Sequence, residues 1–178
     1  QMVTEIGGIS GGGSGGTVVC ESEGTVNAHD VLTSIDSLKV VSLPNAIQIS
    51  EGTFRNCTSL EQIYAPNVDE VFEGTFCDCT NLTMVNMPKL RIANVVSFRG
   101  CTSLRNVDFP FLTQACSYVF ADCVNLASVN LPELAVLGDN MFEGCVGLTK
   151  VYLPSTLEYV GVNAFYKVSI DVYYYGTT

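Results

Sequence analysis

The sequence predicts a solenoid of stacked 22-residue coils, mostly β with short helical or irregular turns, carrying a parallel sheet on one face. Three observations predict it. Six prolines (Pro44, Pro66, Pro88, Pro110, Pro132 and Pro154) follow one another at intervals of 22, and no proline lies elsewhere. Further columns keep step with them: Phe54, Phe76, Phe98, Phe120 and Phe142; Cys57, Cys79, Cys101, Cys123 and Cys145; Leu60, Leu82, Leu104, Leu126 and Leu148; then Ile63, Val85, Val107, Val129 and Val151. Both ends of the pattern are worn, as capping coils are. A fixed period of this size marks repeats that cannot bury their apolar side alone and bury it against their neighbours. Composition agrees, since 178 residues that are 47% hydrophobic and only 15% charged suit one packed domain. No apolar stretch reaches the roughly 18 to 20 residues of a membrane-spanning helix, so no membrane insertion is expected. The chain opens at Gln1 without a basic, then apolar, leader, and any signal peptide is expected to have been removed or never present.

Residues 1–29 read as a Gly-rich N-terminal segment and cap. Gly11 to Gly16 satisfies G-x-G-x-x-G, but Thr17 to Cys20 after it reads as a strand where a dinucleotide fingerprint needs a helix. A linker or surface loop is the expectation there, and His29 is expected at a turn. The solenoid runs over 30–178. Asp30 to Pro44 is a worn half-coil in which Leu32, Ile35 and Leu38 hold the Phe, Cys and Leu columns. Each full coil reads approximately G-T-F-x-x-C-T-x-L-x-x-V-x-L-P. Its last segment is a short strand with alternate side chains inward, such as Val129 and Leu131, and Asn130 outward. Proline ends the strand because it has no N–H for a ladder. Coils in register place their strands in parallel, and six strands about 4.8 Å apart make a sheet roughly 25 to 30 Å long. In the capping coil, 155–178, one inserted residue moves the phenylalanine to Phe165 and Val168 takes the cysteine column. Val172 to Tyr175 reads as an edge strand whose tyrosines cover the last coil and keep their hydroxyls wet.

The pattern resembles a leucine-rich repeat, and more narrowly the BspA-like class. Glu51-Gly-Thr-Phe-Arg-Asn-Cys-Thr-Ser-Leu-Glu-Gln-Ile-Tyr-Ala-Pro66 and Phe142-Glu-Gly-Cys-Val-Gly-Leu-Thr-Lys-Val-Tyr-Leu-Pro154 carry the likeness, which extends over about residues 30 to 176. It implies a curved leucine-rich-repeat solenoid, in proteins common on bacterial or protist cell surfaces and reported to act in adhesion or host interaction. It implies no catalytic residues.

The net charge of -10 disfavours a phosphate backbone, so no nucleic acid partner is expected. Five of the eight cysteines form the column, where a small buried hydrophobe explains them better than disulfide or metal chemistry. Cys20, Cys77 and Cys116 lie outside it, and any of them could be an exposed thiol. Cys77-Asp78-Cys79 is C-x-C with no histidine nearby, so neither a metal nor another cofactor is expected. With His29 as the one imidazole, in the least regular part of the chain, a Ser-His or Cys-His enzyme is disfavoured. Asn56-Cys57-Thr58 and Asn81-Leu82-Thr83 match glycosylation sequons. Asn56 shares a column with Asp78, Gly100, Asp122 and Gly144, a turn composition that explains it better.

A binding surface is expected on the sheet face, where outward side chains vary over a constant core. The candidate residues are Glu61, Gln62, Tyr64, Met84, Asn86, Arg105, Asp108, Asn130, Lys150 and Tyr152. One outward column runs Ser42, Tyr64, Asn86, Asp108, Asn130, Tyr152, with tyrosines at either side of amides and a carboxylate. Such a row suits a glycan or a protein loop, although short polar residues also simply solvate an exposed sheet. The coil Asn67 to Pro88 carries Asp69, Glu70, Glu73 and Asp78, and the next carries Lys89, Arg91, Arg99 and Arg105 against Asp108. These charges either pair across the coil boundary or leave a basic stripe that orients a partner. The function expected is a non-catalytic binding module of a bacterial surface or secreted protein, with a protein or glycan ligand. A structural spacer is the alternative, and a carbohydrate-active enzyme ranks last.

Overall fold

The computed structural model describes residues 16–19, 23–26 and 38–175, and among them the chain is a parallel β-solenoid without a helix. Leu32, Ile35, Cys20 and His29 lie outside the described residues. Each coil contributes two short strands. The first, which precedes the proline in the six coils that have one, is β1 (Gly16–Val19), β3 (Leu38–Ser42), β5 (Gln62–Tyr64), β7 (Met84–Asn86), β9 (Asn106–Asp108), β11 (Ser128–Asn130), β13 (Lys150–Leu153) or β15 (Asp171–Tyr174), the end strands β1 and β15 having no proline after them. The second is β2 (Gly24–Val26), with no proline before it, and then, each after a proline, β4 (Ala46–Ile49), β6 (Glu70–Val71), β8 (Ile92–Ala93), β10 (Gln114–Ala115), β12 (Val136–Leu137) and β14 (Tyr159–Val160).

The expected parallel sheet is present before the prolines, but it is not continuous. It divides into a four-stranded piece, β1-β3-β5-β7, and two pairs, β9-β11 and β13-β15. The unbroken sheet is the one after the prolines, seven strands in the order β14-β12-β10-β8-β6-β4-β2. The parallel sheet expected on one face is present, and the second sheet stands in addition to it. Its central strands are two residues long, too short to show the alternation by which strands are recognised. Val71, Ala93, Ala115 and Leu137 still bury one side chain per coil there.

Between the sheets lies one continuous core. Phe54, Phe76, Phe98, Phe120, Phe142 and Phe165 stack in sequence, with ring centroids 5.3, 5.2, 5.5, 5.9 and 5.6 Å apart. Each of these phenylalanines is flanked, two residues before and two after, by residues in the left-handed conformation. The later column (Asn56, Asp78, Gly100, Asp122, Gly144 and Lys167) has φ between 59° and 73°. Asn56 is therefore a turn residue, as its column composition implies. The earlier column is Gly52, Gly74, Val96, Tyr118, Asn140 and Asn163, with φ between 52° and 63°.

The cysteine column is buried, and Cys79, Cys101, Cys123 and Cys145 are held as thiols outside any disulfide. Cys79, Cys101, Cys123 and Cys145 donate S–H to the carbonyls of Phe54, Phe76, Phe98 and Phe120 in the preceding coil, at 3.0, 3.2, 3.2 and 2.9 Å. Val168 ends the column and packs on the core. The inserted residue of the last coil lies just past Pro154: Tyr152 keeps the 22-residue offset from Asn130, whereas Val136 pairs with Tyr159. The coil is then cut short, because Lys150 pairs with Asp171 and Tyr152 with Tyr173. The edge strand read at 172–175 is β15.

A candidate binding face on the first sheet

Each strand before a proline offers two outward side chains around one inward residue. Register brings the candidates together in three groups. Gln62 pairs with Met84 and Tyr64 with Asn86, and Tyr64 and Met84 are 43% and 44% exposed. Glu61, just before β5, reaches Lys39 at 4.0 Å. In the second group Asn130 donates to the Asp108 carboxylate at 2.9 Å, while Ser128 donates to Asn106 Oδ1 at 2.7 Å. Arg105 is exposed beside them, with no ion pair among the described residues. The third group holds Tyr152, with the Lys150 ammonium 6.0 Å from its ring centroid.

Two residues of this third group escape a sequence reading that takes the terminal tyrosines as cover for the last coil. Tyr173 and Tyr175 stack on Tyr152 with centroids 5.1 and 5.6 Å away, and all three rings remain about half exposed or more. The result is an aromatic platform of three tyrosines on one face. Their 21-residue step from Tyr152 to Tyr173, against 22 elsewhere, hides Tyr173 from its column. Tyr64 is not part of the platform. It stands four coils from Tyr152, about 19 Å at the usual strand spacing.

The acidic and basic coils do not neutralise one another. Glu70 accepts from Gln48 and Asn94, Arg99 pairs forward with Asp122 at 3.4 Å, and Lys89 donates to Asn67 at 2.8 Å. Pairing across the boundary, one of the two expectations, is therefore not what the side chains do.

The thiols offer no activated nucleophile among the described residues. Burial pushes Cys57 up to about 11 and Cys145 up to about 12, and raises Cys79, Cys101 and Cys123 well above the usual range. Burial raises Cys77 and Cys116 as well, assisted by the carboxylates of Asp78 and Glu70 respectively. Of the cysteines outside the column, Cys77 is buried and Cys116 is partly exposed. No group of three or more His, Cys, Asp or Glu among the described residues is placed to hold a metal.

The sequence pattern described as BspA type leucine rich repeat region matches the chain in six copies, over residues 29–135 and 76–177. The chain belongs to the BspA-type leucine-rich repeat family. This repeat chain is similar to solved structures of the same architecture. A leucine-rich repeat protein from Bacteroides ovatus shares 26% identity at a TM-score of 0.77, covering 89% of this chain and 42% of that one. The leucine rich repeat protein of T. pallidum shares 31% identity at 0.72, covering 84% and 74%. A leucine rich cell surface protein from Faecalibacterium prausnitzii, 20% identical, shares the fold at 0.71 over 89% and 51%. The repeat chain thus spans less than half the length of the B. ovatus protein. Comparison with curated proteins gives no match.

Proposed function

We propose that this BspA-type solenoid is a non-catalytic recognition module of a bacterial surface or secreted protein, and that it binds a glycan on the face of the first sheet. The observation that carries this reading is the adjacency of the Asn130–Asp108 ladder to the Tyr152, Tyr173 and Tyr175 platform. Sugar rings present C–H faces that pack on exposed aromatic rings and hydroxyls that exchange hydrogen bonds with amides and carboxylates. Asp108, Asn130, Tyr152 and Tyr173 stand on paired strands that fix their backbone before a ligand arrives, which lowers the ordering cost of binding. The cell-surface description of the F. prausnitzii structure supports the same location for this module.

A glycan array followed by titration of the strongest binder tests it. Alanine at Asp108 or Tyr152, both exposed, is expected to weaken binding at least tenfold while the variants keep the parent circular dichroism. Tyr64→Ala is expected to matter only for ligands long enough to span four coils. Binding that ignores Tyr152→Ala would refute the assignment to this face. An array without binders, with partners engaging only the ends of the solenoid, would make the module a spacer.

A further inference from the structure

Between the two strands of each coil the chain turns a corner on the residues after proline. The first corner residue is Asn45, Asn67, Lys89, Glu133 or Ser155 in five coils, and Phe111 in the remaining one. Phe111 is 59% exposed, and its neighbour Leu112 is the residue that enters the core. A phenylalanine on a polar column, excluded from packing, has no role in the stack. It stands instead in a groove of about 620 Å³ along the corners, a size suited to a small ligand.

Charges are laid out along this groove in order. One coil before Phe111 stand Lys89 and Arg91, both exposed. Lys89 gives one hydrogen bond, to Asn67, and keeps two ammonium protons for another acceptor. Arg91 makes no side-chain ion pair among the described residues, although Asp69, which also lines the groove, lies in the same column one coil earlier. One coil after Phe111 is Glu133, an exposed carboxylate also without an ion pair among the described residues. Cation pair, ring and carboxylate therefore follow at one strand spacing each, about 10 Å from end to end.

We infer that this corner groove binds a 4-hydroxyphenyl carboxylate: the carboxylate between Lys89 and Arg91, the ring on Phe111, and the phenolic O–H donated to Glu133. Such an acid spans about 8–9 Å from carboxylate to hydroxyl when extended, close to the two strand spacings. Its single negative charge meets the two cations, and Glu133 repels a second carboxylate at the far end of the ring. A free hydroxyphenyl acid and the C-terminal tyrosine of a peptide share this chemistry.

The site is tested on the full chain by calorimetric titration with 3-(4-hydroxyphenyl)propionate. Saturable binding at millimolar concentration or below is expected, lost with the methyl ester and weakened when a carboxylate replaces the hydroxyl. Lys89→Gln and Arg91→Gln should each weaken binding about tenfold, and Phe111→Ala at least as much. Tyr152→Ala should leave it unchanged, which separates this groove from the glycan face. Peptides ending in a free tyrosine, compared with their C-terminal amides, distinguish the two sources: tighter binding of the free-acid peptide than of the propionate assigns the peptide. No heat at millimolar ligand, equal binding of acid and ester, or full binding by Arg91→Gln and Phe111→Ala variants that keep the parent circular dichroism would overturn the assignment.

Discussion

Val96 holds a left-handed backbone at φ 52° in a column where two coils use glycine and two use asparagine. The coil imposes this: the Val96 N–H donates to the Ser117 carbonyl at 3.1 Å and its carbonyl accepts from Arg99 at 3.2 Å. A residue with a Cβ loses about 1–2 kcal/mol in this conformation, and a β-branched one is an outlier there. Val96→Gly removes that strain. Against it stand about 0.5–1 kcal/mol for the greater freedom of glycine in the unfolded chain and the loss of a half-buried, non-core side chain. Strain and chain freedom together leave a gain of about 0.5–1 kcal/mol, a rise of roughly 1–4 °C for a chain of this length, less what the half-buried side chain contributes. The reverse change is Gly74→Ala, at φ 63° in the same column, where a Cβ would also meet the Arg55 guanidinium. It should lower the midpoint by a similar amount. Thermal and urea unfolding, followed together because stacked repeats need not unfold in one step, measure both. A lower midpoint for Val96→Gly, or an unchanged one for Gly74→Ala, would refute the strain argument.

Phe98 is fully buried and touches the rings of Phe76, Phe109 and Phe120, so Phe98→Ala should cost about 3–5 kcal/mol in urea unfolding; Phe165→Ala, on a half-buried terminal ring, should cost less. Ser97 is buried with a hydroxyl that finds no partner, unlike Thr75 in the same column, which donates to Phe72 at 2.8 Å. Ser97→Ala is therefore expected to raise stability by up to about 1 kcal/mol. Because the column thiols titrate higher folded than their ordinary 9.0, their neutral form favours the fold. That contribution is whole below pH 9 and shrinks as pH climbs toward the folded values of about 11 and 12. Unfolding midpoints should fall over this window, less so in a Cys101→Val variant. Iodoacetamide at pH 9 should label Cys116 before any column thiol, and mass spectrometry of the peptides reads the order.

Much of the architecture is legible in the chain because each coil packs only on its neighbours, so a local pattern copied every 22 residues carries the global arrangement. The phenylalanine and cysteine columns, the turn at Asn56 and the edge strand after Ile170 follow from that copying. The outward placement of the candidate residues on the first sheet is legible for the same reason, since an outward position in one coil is outward in the next. Where copying lapses, legibility ends. Tyr173 and Tyr175 fall out of step when the last coil is shortened, and their stacking on Tyr152 appears only in the folded chain.

The amino-acid sequence by itself determined a stack of in-register coils, its buried columns and its family, since these depend on residue type and spacing alone. Tertiary structure decided which of two faces carries the unbroken sheet, because two-residue strands are defined by their ladder partners and not by any alternation of their own. It also decided which charges are left over. Arg99 turns to Asp122 while Arg91 turns to no carboxylate among the described residues, and spacing cannot distinguish the two arginines because both neighbouring coils lie within reach of each.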